Sequence, residues 1–194
     1  MNLFLNDILK LILSILTVFI IGCSSNKQLL EQSVKHYKAD GGAYLLYDTQ
    51  RDKITDKQTV NFNLQQEYQP DFAKIGINEQ ISAEQLLQKY VEKVKNNANV
   101  RDFLRQNVLS GEAKKVNIQD VEIFGLATTT SKGQEKEVIT TFLGHFVANE
   151  KIYGLLVVMD NPQPLKETYG FRSAGWNAVN LARELITALT SKKY

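Results

Sequence analysis

The chain has 194 residues and is short of the residue types that staple or punctuate a fold: one Cys, three Pro, two Met, two His and one Trp. A single cysteine excludes an internal disulfide framework and any Cys-rich zinc module. No His, Asp or Glu spacing suggests a metal, so no metal and no other cofactor is expected. With 23 Lys+Arg against 21 Asp+Glu the net charge is only +2. That balance builds no field for nucleic acid, which is not an expected partner. Long apolar runs sufficient for a multi-pass membrane protein are missing too. What remains is an ordinary globular composition, 43% hydrophobic and 23% charged, at a length that suits one domain.

The first residues read differently from the rest. After a short polar head that ends at Lys10 comes LILSILTVFIIG, Leu11 to Gly22, apolar apart from Ser14 and Thr17. Twelve residues are too few to span a bilayer and suit a signal-peptide core. Extending the run back to Leu3 would bury Asn6, Asp7 and Lys10, which is costly. The run ends Ile20-Ile21-Gly22-Cys23-Ser24-Ser25. This resembles the lipobox of bacterial lipoproteins, which implies a signal peptide over 1–22, cleavage before Cys23, and lipidation of Cys23. Residues 23–27 would be a short tether and 28–194 the folded domain. The expected location is extracytoplasmic, on a bacterial membrane, with inner and outer membrane both open. An uncleaved anchor helix is the alternative.

Along the remaining chain the hydrophobic period changes twice. Gln28 to Lys38 carries Leu29, Leu30, Val34 and Tyr37 at helical spacing, and Gly41-Gly42 stops it. Ala43 to Asp48 is a short apolar strand, and Thr59 to Leu64 alternates as a half-buried one. Gln65 to Gly76 has no period. Ser82 with Gln85 predicts a capping box for a helix to Lys95, and Val100 to Leu109 predicts another. The period then becomes two: Val121 to Thr128, Glu137 to Ala148 and Ile152 to Met159. The last two are apolar on both alternating sets, as in strands covered on both faces, and Asn149-Glu150 should join them as a hairpin. Ser173 is read as the cap of a final helix to Leu189, with Lys192-Lys193 complementing its dipole. The order helix, two strands, two helices, three strands, helix predicts an α+β fold, an antiparallel sheet of about five strands flanked by N- and C-terminal helices.

Several segments carry a resemblance. GLLVVMDNP (Gly154 to Pro162), KETYGF (Lys166 to Phe171) and SAGWNA (Ser173 to Ala178) are followed upstream by TFLGH (Thr141 to His145), VLSGEA (Val108 to Ala113), GINEQISAEQLLQKY (Gly76 to Tyr90) and YKADGGAYLLYD (Tyr37 to Asp48). In this order they resemble the transpeptidase domain of class B, division-specific penicillin-binding proteins. Class D β-lactamases resemble it more distantly. The resemblance implies a β-lactamase/transpeptidase-like fold, and by its family an acyl-enzyme activity built on Ser-x-x-Lys, Ser-x-Asn and Lys-Thr-Gly. Those motifs are missing from the predicted domain. The one Ser-x-x-Lys, Ser24 to Lys27, and the one Ser-x-Asn, Ser24 to Asn26, fall beside the lipobox. Leu126 stands where the family has its strand Lys, and Ala127 where it has Thr. The interval Gln65 to Ile75 is too short for the family's helical subdomain. No catalytic residue is carried over.

The expectation is a truncated, non-catalytic, membrane-anchored envelope protein that binds peptidoglycan or a cell-wall synthesis or division partner such as a penicillin-binding protein. Thr128, Thr129 and Thr130, with Ser131 and Lys132 after them, are the candidate peptide-binding strand end. A sheet face bared by the missing helices would need a cover, so a homodimer is also expected. The alternatives are a divergent acyl-transferase or hydrolase with its nucleophile near Thr128 to Ser131, and a decayed gene fragment. His145, between apolar neighbours, reads as structural; His36 is distant from it in sequence. Trp176 reads as core, and Glu112 to Lys115 and Glu135 to Glu137 as solvated surface.

Overall fold

The computed structural model describes residues 26–132 and 137–191. The segment expected to be a signal peptide, the expected lipidation site Cys23, residues 133–136 and the Lys192-Lys193 pair lie outside the described residues. Helix α1 occupies 26–36, followed by strands β1 (Gly41–Asp48) and β2 (Lys53–Val60), helices α2 (Ala83–Lys95) and α3 (Ala98–Ser110), strands β3 (Ile123–Ser131), β4 (Val138–Ala148) and β5 (Lys151–Asp160), and helix α4 (Ala178–Thr190). This is the element order read from the sequence. Asn26 and Lys27, read there as tether, are already helical. The strands form one antiparallel sheet in the order β2-β1-β5-β4-β3. The fold is α+β, as expected.

Local chemistry explains the joints. Asn149 and Glu150 both take left-handed φ values, 49° and 62°, which lets a two-residue turn join β4 to β5 with Ala148 opposite Lys151. The β1–β2 turn is fixed by Asp48, whose buried carboxylate accepts the N–H groups of Gln50 at 2.9 Å and Arg51 at 3.0 Å. α2 has the capping box: Ser82 Oγ accepts from Gln85 N–H, and the Gln85 side chain takes the Ser82 N–H at 3.1 Å. Gly125 and Gly144 face each other across β3 and β4, and the Phe142 ring lies over both. A Cβ on Gly125 would sit 2.6 Å from Phe142 Cε2, and one on Gly144 2.5 Å from the Phe124 carbonyl oxygen.

Two cores sandwich the sheet. Tyr44, Leu46, Leu155, Val157, Phe142, Phe146 and Ile123 pack against Leu30 and Val34 of α1 and Val179, Leu185 and Ile186 of α4. Leu45, Tyr47, Leu156, Val158, Leu143 and Leu126 pack on the opposite face against Leu86, Leu87, Tyr90 and Val91 of α2 and Leu104 of α3. Phe72, Ile75, Ile77 and Ile81, from the chain ahead of α2, complete that second core. The expectation of a bare sheet face is therefore corrected. Helices and a long connection of this same chain cover both faces.

Three further readings are corrected. The second strand is Lys53–Val60, not Thr59 to Leu64. Its polar sequence suits an edge strand registered by the tight turn from β1, and Asn61 at φ 46° ends it. Phe62 and Leu64 pack on the second core from irregular chain. The last helix starts at Asn177, not Ser173. Residues Ala174–Trp176 form a single 3-10 turn, Ser173 makes no side-chain cap bond, and the Asn177 Oδ1 accepts from the Ala178 N–H at 2.6 Å. Trp176 is half-buried at the surface beneath Lys115, whose Nζ sits 3.1 Å from the ring centroid, and is not core.

Candidate functional site

β3 has one strand neighbour, so its other edge carries no strand; α3 packs against β3, Ile123, Gly125 and Ala127 are buried, and the edge is exposed at Thr129 and Ser131. Which residues point their backbone outward follows from the bonds at both ends of the β3–β4 ladder. Val147 N–H donates to the Glu122 carbonyl, and Lys132 N–H to the Glu137 carbonyl. Even-numbered residues of β3 therefore bond β4, and the odd-numbered ones present N–H and C=O groups outward. Arg105 caps the first of these, donating to the Ile123 carbonyl at 2.9 Å. Gly125, Ala127, Thr129 and Ser131 continue the row.

That row opens on a polar groove. Two adjoining cavities of about 530 and 320 Å³ share Asp71. The first lies between Gln66 to Asp71, with Asn78 and Gln80, and Thr130, Ser131 and Lys132 on the strand. The second runs beside Leu126 to Thr129 and is closed by Lys74, Asn107, Glu112, Ser173 and Ala174. The expected Thr128, Thr129 and Thr130 thus all line it. Their roles differ. Thr128 Oγ1 is buried without a hydrogen-bond partner. Thr129 Oγ1 accepts the Ala174 N–H at 2.9 Å, which ties the strand to the start of the last helix. Thr130 is half-buried in the wall.

The wall of the groove opposite β3 is the connection between β2 and α2. It holds no α-helix. It is a coil pinned by the antiparallel bridges Tyr68–Ile81 and Phe72–Ile77, with one 3-10 turn at Ala73–Ile75. Burial raises the Tyr68 phenol well above its ordinary range, and its hydroxyl lies against Thr141. Leu126 and Ala127 are buried, one in each core, so neither side chain offers a charge to the groove. Lys132 donates to both carboxylate oxygens of Asp160, at 2.9 and 3.0 Å, and that bond raises its pKa. It is a fixed cation and no base. Among the described residues, no base is hydrogen-bonded to Thr128, Thr129, Thr130, Ser131 or Ser173.

The histidines are elsewhere. His145 stacks on Phe124 at 4.5 Å and meets the Tyr90 hydroxyl at 2.8 Å through Nδ1. Burial, with Arg101 adding to it, pushes its pKa down to about 4. His36 lies on α1, across the sheet, with Nε2 3.2 Å from Glu167. No shared site forms. Asp71, Lys74, Asn78 and Gln80 were not read as site residues, since an aperiodic loop gives no signal of which strand it crosses. Glu112 was read as solvated surface and lines the groove. The one available clue was that this interval stands where the resemblance calls for a helix.

The fold is similar to the transpeptidase domain of the FtsI4 D,D-transpeptidase from Legionella pneumophila, with a TM-score of 0.68 at 16% identity over 84% of this chain and 93% of that one. Weaker overlaps are with the TLA-3 extended-spectrum β-lactamase (TM-score 0.47, 10% identity, 86% of this chain and 99% of that one). A class A β-lactamase representative from Bacteroides cellulosilyticus gives TM-score 0.44 at 13% identity, again over 86% and 99%. No protein-family model matches the sequence, and no curated protein matches it. The chain has a transpeptidase/β-lactamase-like fold.

Proposed function

We propose that this is a membrane-anchored cell-envelope protein that binds an extended peptide, of peptidoglycan or of a cell-wall synthesis partner, along the open edge of β3 without acting on it. The observation that carries this is the row of outward backbone groups at Ala127, Thr129 and Ser131 facing a polar groove. An extended peptide adds to such an edge through main-chain hydrogen bonds, and the groove walls select its side chains. The same residues support the reading of binding without chemistry. A Ser or Thr nucleophile needs a base within hydrogen-bond reach. Here Lys132, just past the end of β3, is held by Asp160, His145 is enclosed between Phe124 and Tyr90, and Lys74, across the second cavity, makes no hydrogen bond to the Thr128 or Thr129 hydroxyl.

The test is titration of the protein with soluble muropeptides, followed by amide NMR. The expected result is saturable shifts at Ala127, Thr129 and Ser131 that vanish in Ser131→Pro. That substitution removes one outward N–H and leaves the β4 ladder intact. Absence of shifts at β3 with every muropeptide tried would sink the peptidoglycan form of this reading. Fluorescent penicillin on native and heat-denatured protein tests the enzymatic alternative. No label is expected, and a stoichiometric label lost on denaturation would restore an acyl-enzyme.

A further inference from the structure

Two of the most exposed aromatic rings sit side by side in one loop. Tyr169 is 78% exposed and Phe171 60%, on either side of Gly170 in the loop between β5 and α4. The loop is built to hold them there. Leu165 N–H donates to Thr168 Oγ1 at 2.9 Å, Gly170 N–H to the Leu165 carbonyl at 3.1 Å, and Phe171 N–H to the Thr168 carbonyl at 2.9 Å. Tyr169 sits at φ 53°, a left-handed conformation that costs a non-glycine residue energy and persists only where its surroundings impose it. The Tyr169 ring meets Trp176 at 5.5 Å, edge on, and Lys115 covers the Trp176 ring. Arg183 in turn holds the Lys115 carbonyl at 3.1 Å. Lys166 precedes the rings, with Glu167 beside it paired to His36, and Arg172 follows them, its guanidinium on Asn161 and Gln163. Aromatic rings rimmed by Lys and Arg are the mix that settles at the head-group level of an anionic bilayer.

The place of this loop supports the same occupant. His36, in the last turn of α1, is 3.2 Å from Glu167. In the lipid-anchored reading α1 begins three positions after Cys23, a reach of roughly 10 Å. The helix over 26–36 is about 16 Å long. At most roughly 26 Å of chain therefore separates Cys23 from the His36 end of α1, so the loop beside His36 is within reach of the bilayer that the lipid enters.

We infer that Tyr169, Phe171, Trp176 and Lys115 form a bilayer-contact surface that seats the domain on anionic lipid head groups. This rests on the membrane-anchored reading above. Trp176 is the one tryptophan of the chain and reports on its own surroundings. The full chain is reconstituted into phosphatidylethanolamine/phosphatidylglycerol vesicles carrying a lipid with a doxyl quencher near the head group. The expected result is doxyl quenching of Trp176, protection from aqueous acrylamide, and loss of both in Tyr169→Ser/Phe171→Ser with unchanged circular dichroism. Lys115→Gln, and vesicles of phosphatidylcholine alone, should each weaken the quenching. A chain that floats with the vesicles while Trp176 stays open to acrylamide and untouched by doxyl overturns the contact surface alone. A chain that does not float overturns the anchored reading, and the contact surface with it.

Discussion

His145 shows how one side chain is governed by what encloses it. Its imidazole is stacked on Phe124 and bonded to the Tyr90 hydroxyl, and burial lowers its pKa from 6.5 to about 4. The unfolded chain takes up the proton near pH 6.5 and the folded chain only near pH 4. Stability is therefore full above pH 6.5, falls as the pH drops from 6.5 to about 4, and levels off below, a loss of about 3 kcal/mol from this group. Urea denaturation across pH 4–7 should show that slope, and His145→Phe should flatten it. At Gly144 the constraint is space, because a methyl group would press on both the Phe124 carbonyl and the Phe142 ring. Gly144→Ala should destabilise by about 2 kcal/mol, read as a lower urea midpoint. Neither constraint is legible in sequence. His145 was recognisable as structural from its apolar neighbours, but Tyr90, which bonds it, lies on a helix 55 positions away.

Among the elements, the capped helix and the hairpin follow local rules and the edge strands do not. Ser82 and Gln85 start α2 where the capping box predicts, and Ser82→Ala should cost about 1 kcal/mol in thermal or urea unfolding. α4 starts later than its sequence suggests because Asn177 is recruited by a distant partner. Thr140 on β4 donates to the same Asn177 Oδ1 that caps the helix, at 2.6 Å. β2 was misplaced because a polar edge strand carries no apolar period and takes its register from β1. β3 makes an element-scale prediction. The amides of Leu126, Thr128 and Thr130 should exchange slowly, being bonded to β4, while those of Thr129 and Ser131 exchange fast. Peptide seated on the edge should slow the second set. Uniform exchange along β3 would show that the edge is not open.

For the whole molecule, stability resides in the two cores on either side of the sheet and not in its charges. The ion pairs of the described residues lie mostly at the surface, with Lys27–Glu31, Lys89–Glu79 and Lys95–Asp52 about half or more exposed on both sides. Such pairs contribute little and are screened by salt. The melting temperature should accordingly change little between low salt and 1 M NaCl, and a large fall would point to a buried electrostatic contribution. Both sheet faces are closed by this chain's own elements, so the argument for a homodimer from a bare face no longer holds. The proposed contact surfaces are the edge of β3 and the aromatic loop near the end of α1.

Periodicity, caps and turn residues act between neighbours, so the sequence by itself determined the element order, the α+β class, the Asn149-Glu150 hairpin, and the apolar faces of β4 and β5. It also determined what the strand lacks, since Leu126 and Ala127 can supply neither charge nor hydroxyl. Only the tertiary structure decided that the connection between β2 and α2 forms the far wall of the groove. The same holds for the second face of the sheet, which that connection helps cover, and for Trp176, which lies at the surface beneath a lysine. Those outcomes depend on which segments meet after long stretches of chain, and pairing over such separations is set by packing and register, which no local pattern encodes.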